Sequence, residues 1–310
     1  MHKRVVVGLV VLASTLAVAA AGLFAWRMLS RTDYERAVAM MPASTLRVTY
    51  TDWSRIRAMT GDATIAGDAT ASDIDAFLGR AYDQDLTSTS AVHDATYAMA
   101  DRYGFSALDA SWEMYGQSRE GAVAVMAMPD SVDLGEVEVN LQALGYDAPP
   151  DGAGSGGVWT GSVDLVAQID PSLTPVMENL VVLHDERVVL MSDDSAYASS
   201  SAEAVGDEVA SLDEEVEGVE ELDPDHSMTV GMYFELSDQA AKDLRPRVEL
   251  ATGEAVGQGG TFPDRFRLAS GKQSGHTVVL DLQPVGPRSE RTESTLLSDL
   301  SQGPVLFATC

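Results

Sequence analysis

Cysteine is nearly absent from this sequence of 310 residues, in which Cys310 is the only one. A single thiol excludes an intramolecular disulfide and every metal site built on paired cysteines. In an oxidising compartment it could still form a disulfide between two chains. A catalytic thiol is disfavoured at a chain end where no histidine is positioned beside it. An intermolecular disulfide through Cys310 is therefore the only covalent contact that we expect.

The motifs of common catalytic chemistries are also missing. The sequence contains no P-loop lysine motif, no HExxH, no CxxC and no EF-hand loop. Lys242 and Lys272 have no serine three residues before them, which excludes a serine–lysine nucleophile of the SxxK type. We therefore predict no catalytic residue and no cofactor, and a function that is more consistent with binding than with catalysis.

One glycine-rich stretch, "PPDGAGSGGVWTG", has the spacing of a dinucleotide fingerprint at Gly152, Gly154 and Gly157. That fingerprint requires a strand before it and a helix after it, because the phosphates bind at the helix N-terminus. Pro149 and Pro150 precede the glycines, and the β-like "VWTGSVDLV" follows them. We interpret the stretch as a flexible loop, and we expect serine at the three glycines to be tolerated.

Metal-ligating side chains cluster at one place only. Asp223, Asp225 and His226 lie within four residues, and carboxylate and imidazole are common ligands of divalent cations. The alternative is an ordinary acidic turn. Carboxylate pairs suited to acid–base catalysis cannot be chosen from 48 Asp and Glu residues by sequence alone.

Positive charge is scarce over most of the chain. The net charge is −28, and after Arg31 only 16 basic residues accompany the 48 acidic ones. Such a domain repels nucleic acid and anionic lipid headgroups. It attracts cations and basic partners, although acidity also simply keeps a protein soluble. We expect no nucleic-acid partner, and a protein partner in the cell envelope.

A long uncharged run, Val5 to Trp26, predicts a transmembrane helix. Its 22 residues would span about 33 Å as a helix, enough to cross a bilayer. A cleaved signal peptide with its site at Ala17–Ala19 is an alternative, and so is a buried core helix. Apolar sequence continues beyond Ala19, which favours a retained single-pass anchor. We expect the N-terminus inside and the bulk of the chain to be extracytoplasmic.

The remaining pattern predicts an α+β fold. Leu46–Thr51 alternates as a half-buried strand, and Asp52 is a helix N-cap. Residues 72–117 have a helical pattern in three segments, the last of which carries Leu108, Trp112 and Tyr115. Further strands are expected at 121–129, 157–161, 180–183 and 187–191, with helices at 134–144 and 195–205. The strands at 180–183 and 187–191 flank His184, Asp185 and Glu186 as a hairpin.

A similar order of elements returns near the C-terminus, so we expect two strand–helix–strand–strand–helix units of ferredoxin-like type. The predicted organisation is an anchor (1–31), a strand plus helical region (32–120), a first unit (121–204), an acidic linker (205–226) and a second unit (227–310). The stretch from Glu203 to Asp225 has 11 acidic residues and no basic one. Its few apolar residues, such as Val209, Leu212 and Val216, cannot support a core, so we expect a solvated linker or a frayed helix.

Two blocks, "MPASTLRVTYTDWSRIR" and "LRPRVELATGEAVGQGGTFPDRFRL…LLSDLSQGPVLFATC", resemble a group of single-span, membrane-anchored envelope proteins of high-GC Gram-positive bacteria. The resemblance implies a location and no activity. Together with the anchor and the acidic domain, it favours a non-enzymatic binding or interaction module of the envelope. The alternative is an envelope hydrolase that uses carboxylates or a weakly bound divalent cation.

Overall fold

The computed structural model describes residues 32–212, apart from residues 85, 88, 207 and 208, together with the backbone of three later strands, 230–235, 266–274 and 277–284. The expected anchor Val5–Trp26, the cluster of Asp223, Asp225 and His226, and Cys310 all lie outside the described residues. The described part is mixed α+β, as the sequence predicts.

Six strands between residues 47 and 192 form one antiparallel sheet, and the three later strands continue it. Their order across the sheet is β4-β5-β6-β3-β2-β1-β7-β9-β8. The strands are β1 (Arg47–Thr51), β2 (Glu113–Gln117), β3 (Ala122–Ala127), β4 (Val158–Thr160), β5 (Asn179–Leu183), β6 (Val188–Ser192), β7 (Val230–Glu235), β8 (Phe266–Ser274) and β9 (Thr277–Pro284).

Seven α-helices accompany the sheet in the described part of the chain: α1 (Asp33–Ala39), α2 (Trp53–Thr60), α3 (Ala71–Asp83), α4 (Thr96–Tyr103), α5 (Leu134–Leu144), α6 (Val163–Ile169) and α7 (Ser195–Val205). Six of them begin at a side chain that accepts a hydrogen bond from a backbone N–H of the first turn. These caps are Thr32, Asp52, Thr70, Asp133, Ser162 and Asp194. Local sequence therefore sets where most helices start.

The sheet separates two apolar cores. Alternate residues of each strand point to opposite faces, so that Ala124 and Met126 of β3 join one core while Val123 and Val125 join the other. Helices α2 to α6 contribute to the first core, and α1 and α7 contribute to the second. Both faces of the central strands are consequently covered.

Strand β1 differs from its predicted half-buried state, since all five of its residues are buried. It pairs with β2 on one side and with β7 on the other, so it is a central strand. The alternating pattern predicts that Thr49 and Thr51 face solvent. Instead, the Thr49 hydroxyl donates to the backbone carbonyl of Thr89, and the Thr51 hydroxyl forms a hydrogen bond with the Thr89 hydroxyl, each over 2.7 Å. Both hydroxyl groups form hydrogen bonds within the protein, so this polar face is buried without leaving them unpaired.

The third predicted helical segment is wrong, because residues 113–117 form strand β2. The β-like stretch "VWTGSVDLV" is a strand only at Val158–Thr160, and its last residues begin helix α6. The expected hairpin around His184 is confirmed as β5 and β6, and helices α5 and α7 have the predicted bounds. Strand β8 extends through Ser274 and pairs antiparallel with β9.

The start of the expected acidic linker is packed against the domain, which corrects its predicted solvated state. Glu203 belongs to α7, as the predicted helix at 195–205 implies, whereas Leu212 is fully buried in the second core. The backbone N–H of Leu212 donates to the carbonyl of Met41 over 2.8 Å, and Ser211 forms a β-bridge with Pro42. Leu212 therefore packs in the same apolar core as α1, although the segment that carries it is mostly acidic.

The strand order has an internal correspondence. Strand β3 lies next to β6, the second strand of the β5–β6 hairpin. Strand β7 likewise lies next to β9, the second strand of the β8–β9 hairpin. The central pair β1–β2 joins the two sets, since β1 pairs with β7 and β2 pairs with β3. The second set is thus attached to a strand from the beginning of the domain.

Candidate functional site

Three charged side chains of the described residues are buried: Arg47, Glu113 and Glu138. Buried charges are costly unless they are paired or hydrogen-bonded, so each requires a structural or functional reason. The two carboxylates differ in their partners, and this difference decides which of them is a candidate site.

Glu113 lies on β2 within the first core and has no exposed surface. Its carboxylate accepts hydrogen bonds from Trp53 Nε1 at 3.0 Å, from Ser90 Oγ at 2.6 Å and from the backbone N–H of Ala91 at 2.7 Å. Burial raises the pKa of Glu113, and the three donors oppose this shift. Its contacts join α2, the loop before α4 and the sheet, which is a structural role.

Glu138 lies on α5, where its side chain is 7% exposed and reaches toward the rim of the sheet. Its Oε1 accepts the backbone N–H of Gly154 at 2.7 Å and Trp159 Nε1 at 3.4 Å. Its Oε2 lies 3.1 Å from Nε2 of His184. One carboxylate thus connects a helix, the glycine-rich turn, strand β4 and the tip of the β5–β6 hairpin.

His184 is the half-exposed member of this pair, with 40% of its side chain accessible. Its other ring nitrogen, Nδ1, has no hydrogen-bond partner within the described part of the chain. A carboxylate that holds one imidazole nitrogen fixes the tautomer and leaves the other nitrogen to accept a proton. Glu138 and His184 are therefore the arrangement in the described domain that fits acid–base chemistry best.

The glycine-rich stretch forms a defined turn beside this pair. Gly152, Gly154 and Gly156 all have positive φ, at 85°, 76° and 72°. A Cβ on Gly157 would lie 2.6 Å from the Cβ of Pro149. The turn runs into strand β4 and not into a helix, so the predicted absence of a dinucleotide fold context is confirmed. Tolerance of serine at Gly152, Gly154 and Gly157 stays a prediction, and two features argue against it: the positive φ of Gly152 and Gly154 and the close approach of Pro149 to Gly157.

A second histidine pair provides a contrast. His93 Nε2 lies 3.1 Å from Asp94, but the Asp94 carboxylate is 83% exposed and belongs to the adjacent residue. Water screens such a pair, whereas burial of Glu138 preserves its field at His184. Equal distances therefore correspond to different electrostatic environments.

The sequence pattern predicts His184 in a hairpin turn but does not by itself identify Glu138 as its partner. A signal was present, because Leu134, Val137, Glu138 and Leu141 occupy one buried stripe of α5. A carboxylate in an apolar stripe requires a partner. The partner lies 46 residues later in the chain, so only the fold could identify it.

The predicted cation site at Asp223, Asp225 and His226 lies outside the described residues. Within the part of the chain that the structure describes, no group of three His, Cys, Asp or Glu side chains is arranged to hold a metal ion. The helices of that part are also all too short or too polar to cross a bilayer.

Comparison with known proteins adds no family: no protein-family model matches the sequence, and neither curated proteins nor solved structures give a match.

Proposed function

We propose that this chain is a membrane-anchored, extracytoplasmic interaction module of the cell envelope that binds a basic protein partner. The observation that carries the proposal is the charge of the described domain. Residues 32–212 contain 30 Asp and Glu residues, eight arginines and no lysine.

Most of these arginines act within the domain. Arg57 donates to the carbonyl groups of Ala107 and Ala110, and Arg187 donates to those of Pro129 and Val132. Arg47 is buried, while three others form ion pairs: Arg36 with Asp33, Arg80 with Asp62 and Arg102 with Asp101. The outward field is consequently negative, which speeds encounter with a basic partner and disfavours nucleic acid.

Anchoring through residues 5–26 is part of the proposal, and it rests on the uncharged 22-residue run. N-terminal sequencing of the mature protein should begin at or near Met1. A mature N-terminus near Ala20 would show cleavage instead. Protease added to cells stripped of their wall should digest the domain after Arg31, and complete protection would reverse the orientation.

The partner can be sought with a zero-length carbodiimide crosslinker that joins carboxylates to lysine amines in native membranes. Because residues 32–212 contain no lysine, amide crosslinks within that part cannot form through lysine. We expect an adduct with a lysine-rich envelope protein. Its yield should fall sharply at 1 M salt, where the Debye length is about 3 Å.

Matched variants identify the surface that binds. Asp75→Asn with Asp83→Asn neutralises exposed positions of α3, and Asp185→Asn with Glu186→Gln neutralises the tip of the β5–β6 hairpin. If the partner binds to one surface of the domain, one of these two double variants should reduce the yield of the crosslinked adduct more than the other. No adduct, or an adduct unchanged by salt, would contradict a basic partner.

We also propose that the domain consists of two related strand–helix–strand–strand–helix units. The matching positions of β3-β6-β5 and β7-β9-β8 support this relationship. An experimental structure of the complete chain tests it. Strands β2, β3, β6 and β5 should superpose on β1, β7, β9 and β8 by a rotation of about 180°, with a helix between β7 and β8.

A further inference from the structure

The pair of Glu138 and His184 has features that a purely structural contact does not require. The donors Gly154 N–H and Trp159 Nε1–H would be satisfied by any fixed acceptor, and both use Oε1. The second oxygen, Oε2, is directed to the half-exposed imidazole of His184. Gly154 and Trp159 therefore position a carboxylate whose remaining oxygen interacts with an ionisable group at the surface.

We propose that Glu138 and His184 form a general-base dyad that hydrolyses a neutral or cationic acyl ester. In this step Nδ1 of His184 takes a proton from water while the water oxygen attacks the ester carbonyl carbon. Glu138 is the positioning residue, since it holds the Nε2–H and stabilises the imidazolium that forms. The tetrahedral intermediate then breaks its bond to the alcohol oxygen, which recovers the proton from Nδ1. The products are a carboxylic acid and an alcohol, and the imidazole returns to its neutral form.

The charge of the surroundings limits the substrate class. Asp185 and Glu186 follow His184 in the same hairpin turn, and Asp151 begins the glycine-rich turn that Glu138 holds. All three side chains are exposed. An anionic substrate would be repelled there, whereas a neutral or cationic ester would not.

The test uses the purified full-length protein in detergent and 4-nitrophenyl acetate as the probe. We expect His184→Gln and Glu138→Gln each to lower kcat/KM by at least tenfold. His93→Gln is the matched control. The imidazole of His93 also lies 3.1 Å from a carboxylate, but that carboxylate, of Asp94, is exposed to water. This variant should stay within twofold of the wild type. A nitrophenyl ester that carries a free carboxylate should be hydrolysed at least tenfold more slowly than the acetate.

The spectroscopic readout is the ¹⁵N spectrum of His184, which should show a proton on Nε2 and none on Nδ1 in the neutral ring. Glu138→Gln should alter this tautomer while the melting temperature and the fold remain intact. If that variant does not fold, His184→Gln decides the question alone. A wild-type rate no higher than that of free imidazole, or a His184→Gln rate within twofold of the wild type, overturns the proposal. Partner crosslinking does not depend on the dyad, so the two proposals fail independently.

Discussion

Trp53 on α2 donates its indole N–H to Oε2 of Glu113 on β2 across 3.0 Å, which joins residues that are 60 positions apart in the chain. The same carboxylate also accepts from Ser90 and from the backbone of Ala91. A single buried carboxylate thereby fixes the helix after β1 and the loop before α4 against the middle of the sheet.

Replacement of Glu113 by glutamine should destabilise the domain by about 1–3 kcal/mol. Glutamine has one acceptor oxygen where the carboxylate has two, and its NH₂ group would face either the Ala91 N–H or the Trp53 N–H. A buried donor would then lack its acceptor. Denaturant unfolding monitored by tryptophan fluorescence measures the change.

Ser90→Ala is the comparison for that experiment, because it leaves both oxygens of Glu113 in place while it removes one donor to them and the acceptor of the Val92 N–H. Its cost should be smaller, about 0.5–1.5 kcal/mol. If the two variants lose the same free energy of unfolding, the second acceptor oxygen of Glu113 does not contribute to stability as proposed.

Replacement of Asp52 by asparagine should become more favourable as pH rises. Burial raises the pKa of Asp52 from 3.8 to about 6, partly opposed by the hydrogen bond from the Arg55 N–H. The folded state therefore binds more protons than the unfolded chain between those values, and the contribution of Asp52 to stability falls as pH rises through them. Asparagine also caps helices but does not titrate.

Thermal melts at pH 4, 5, 6 and 7 and constant ionic strength test this prediction. The melting temperature of Asp52→Asn minus that of the wild type should increase across the series. Asp52→Ser, another neutral cap, should follow the same trend. A flat difference would show that folding does not shift the pKa of Asp52, and a decreasing difference would show that folding lowers it.

Replacement of Gly154 by alanine should destabilise the protein by about 1–3 kcal/mol, because its φ of 76° is strained for residues with a Cβ. Gly79, in the exposed middle of α3, is the matched control. A Cβ there meets no heavy atom within 4 Å, so alanine should stabilise the protein by about 0.5–1 kcal/mol. Changes of the same sign at the two positions would indicate that the glycine-rich turn does not hold its conformation in solution.

Replacement of Leu212 by alanine should cost about 2–5 kcal/mol if the segment after α7 is packed as described. Val209, which is 38% exposed, provides the control, and its change to alanine should cost under about 0.5 kcal/mol. Limited proteolysis gives a second measurement. Residues 203–212 should resist cleavage in the wild type and become accessible in Leu212→Ala, whereas early cleavage there in the wild type would restore the solvated-linker interpretation.

Local signals in the sequence determined much of this fold. Asp52, Asp133 and Asp194 begin helices because their side chains satisfy first-turn N–H groups, and Gly104 and Gly145 end helices in the left-handed conformation. The hairpin of β5 and β6 followed from two apolar runs around a polar turn. Such features depend on neighbouring residues, so they can be inferred without knowing the rest of the chain.

Only the tertiary structure decided the burial of β1, the strand state of residues 113–117 and the packing of Leu212. Each depends on a partner far along the chain: β1 lies between β2 and β7, and Leu212 packs under α1. The Glu138–His184 pair has the same origin, because α5 and the hairpin tip meet only when the sheet forms. Hydrophobic periodicity indicates which residues of one element are buried. It does not identify the distant group that covers those residues or accepts their hydrogen bonds.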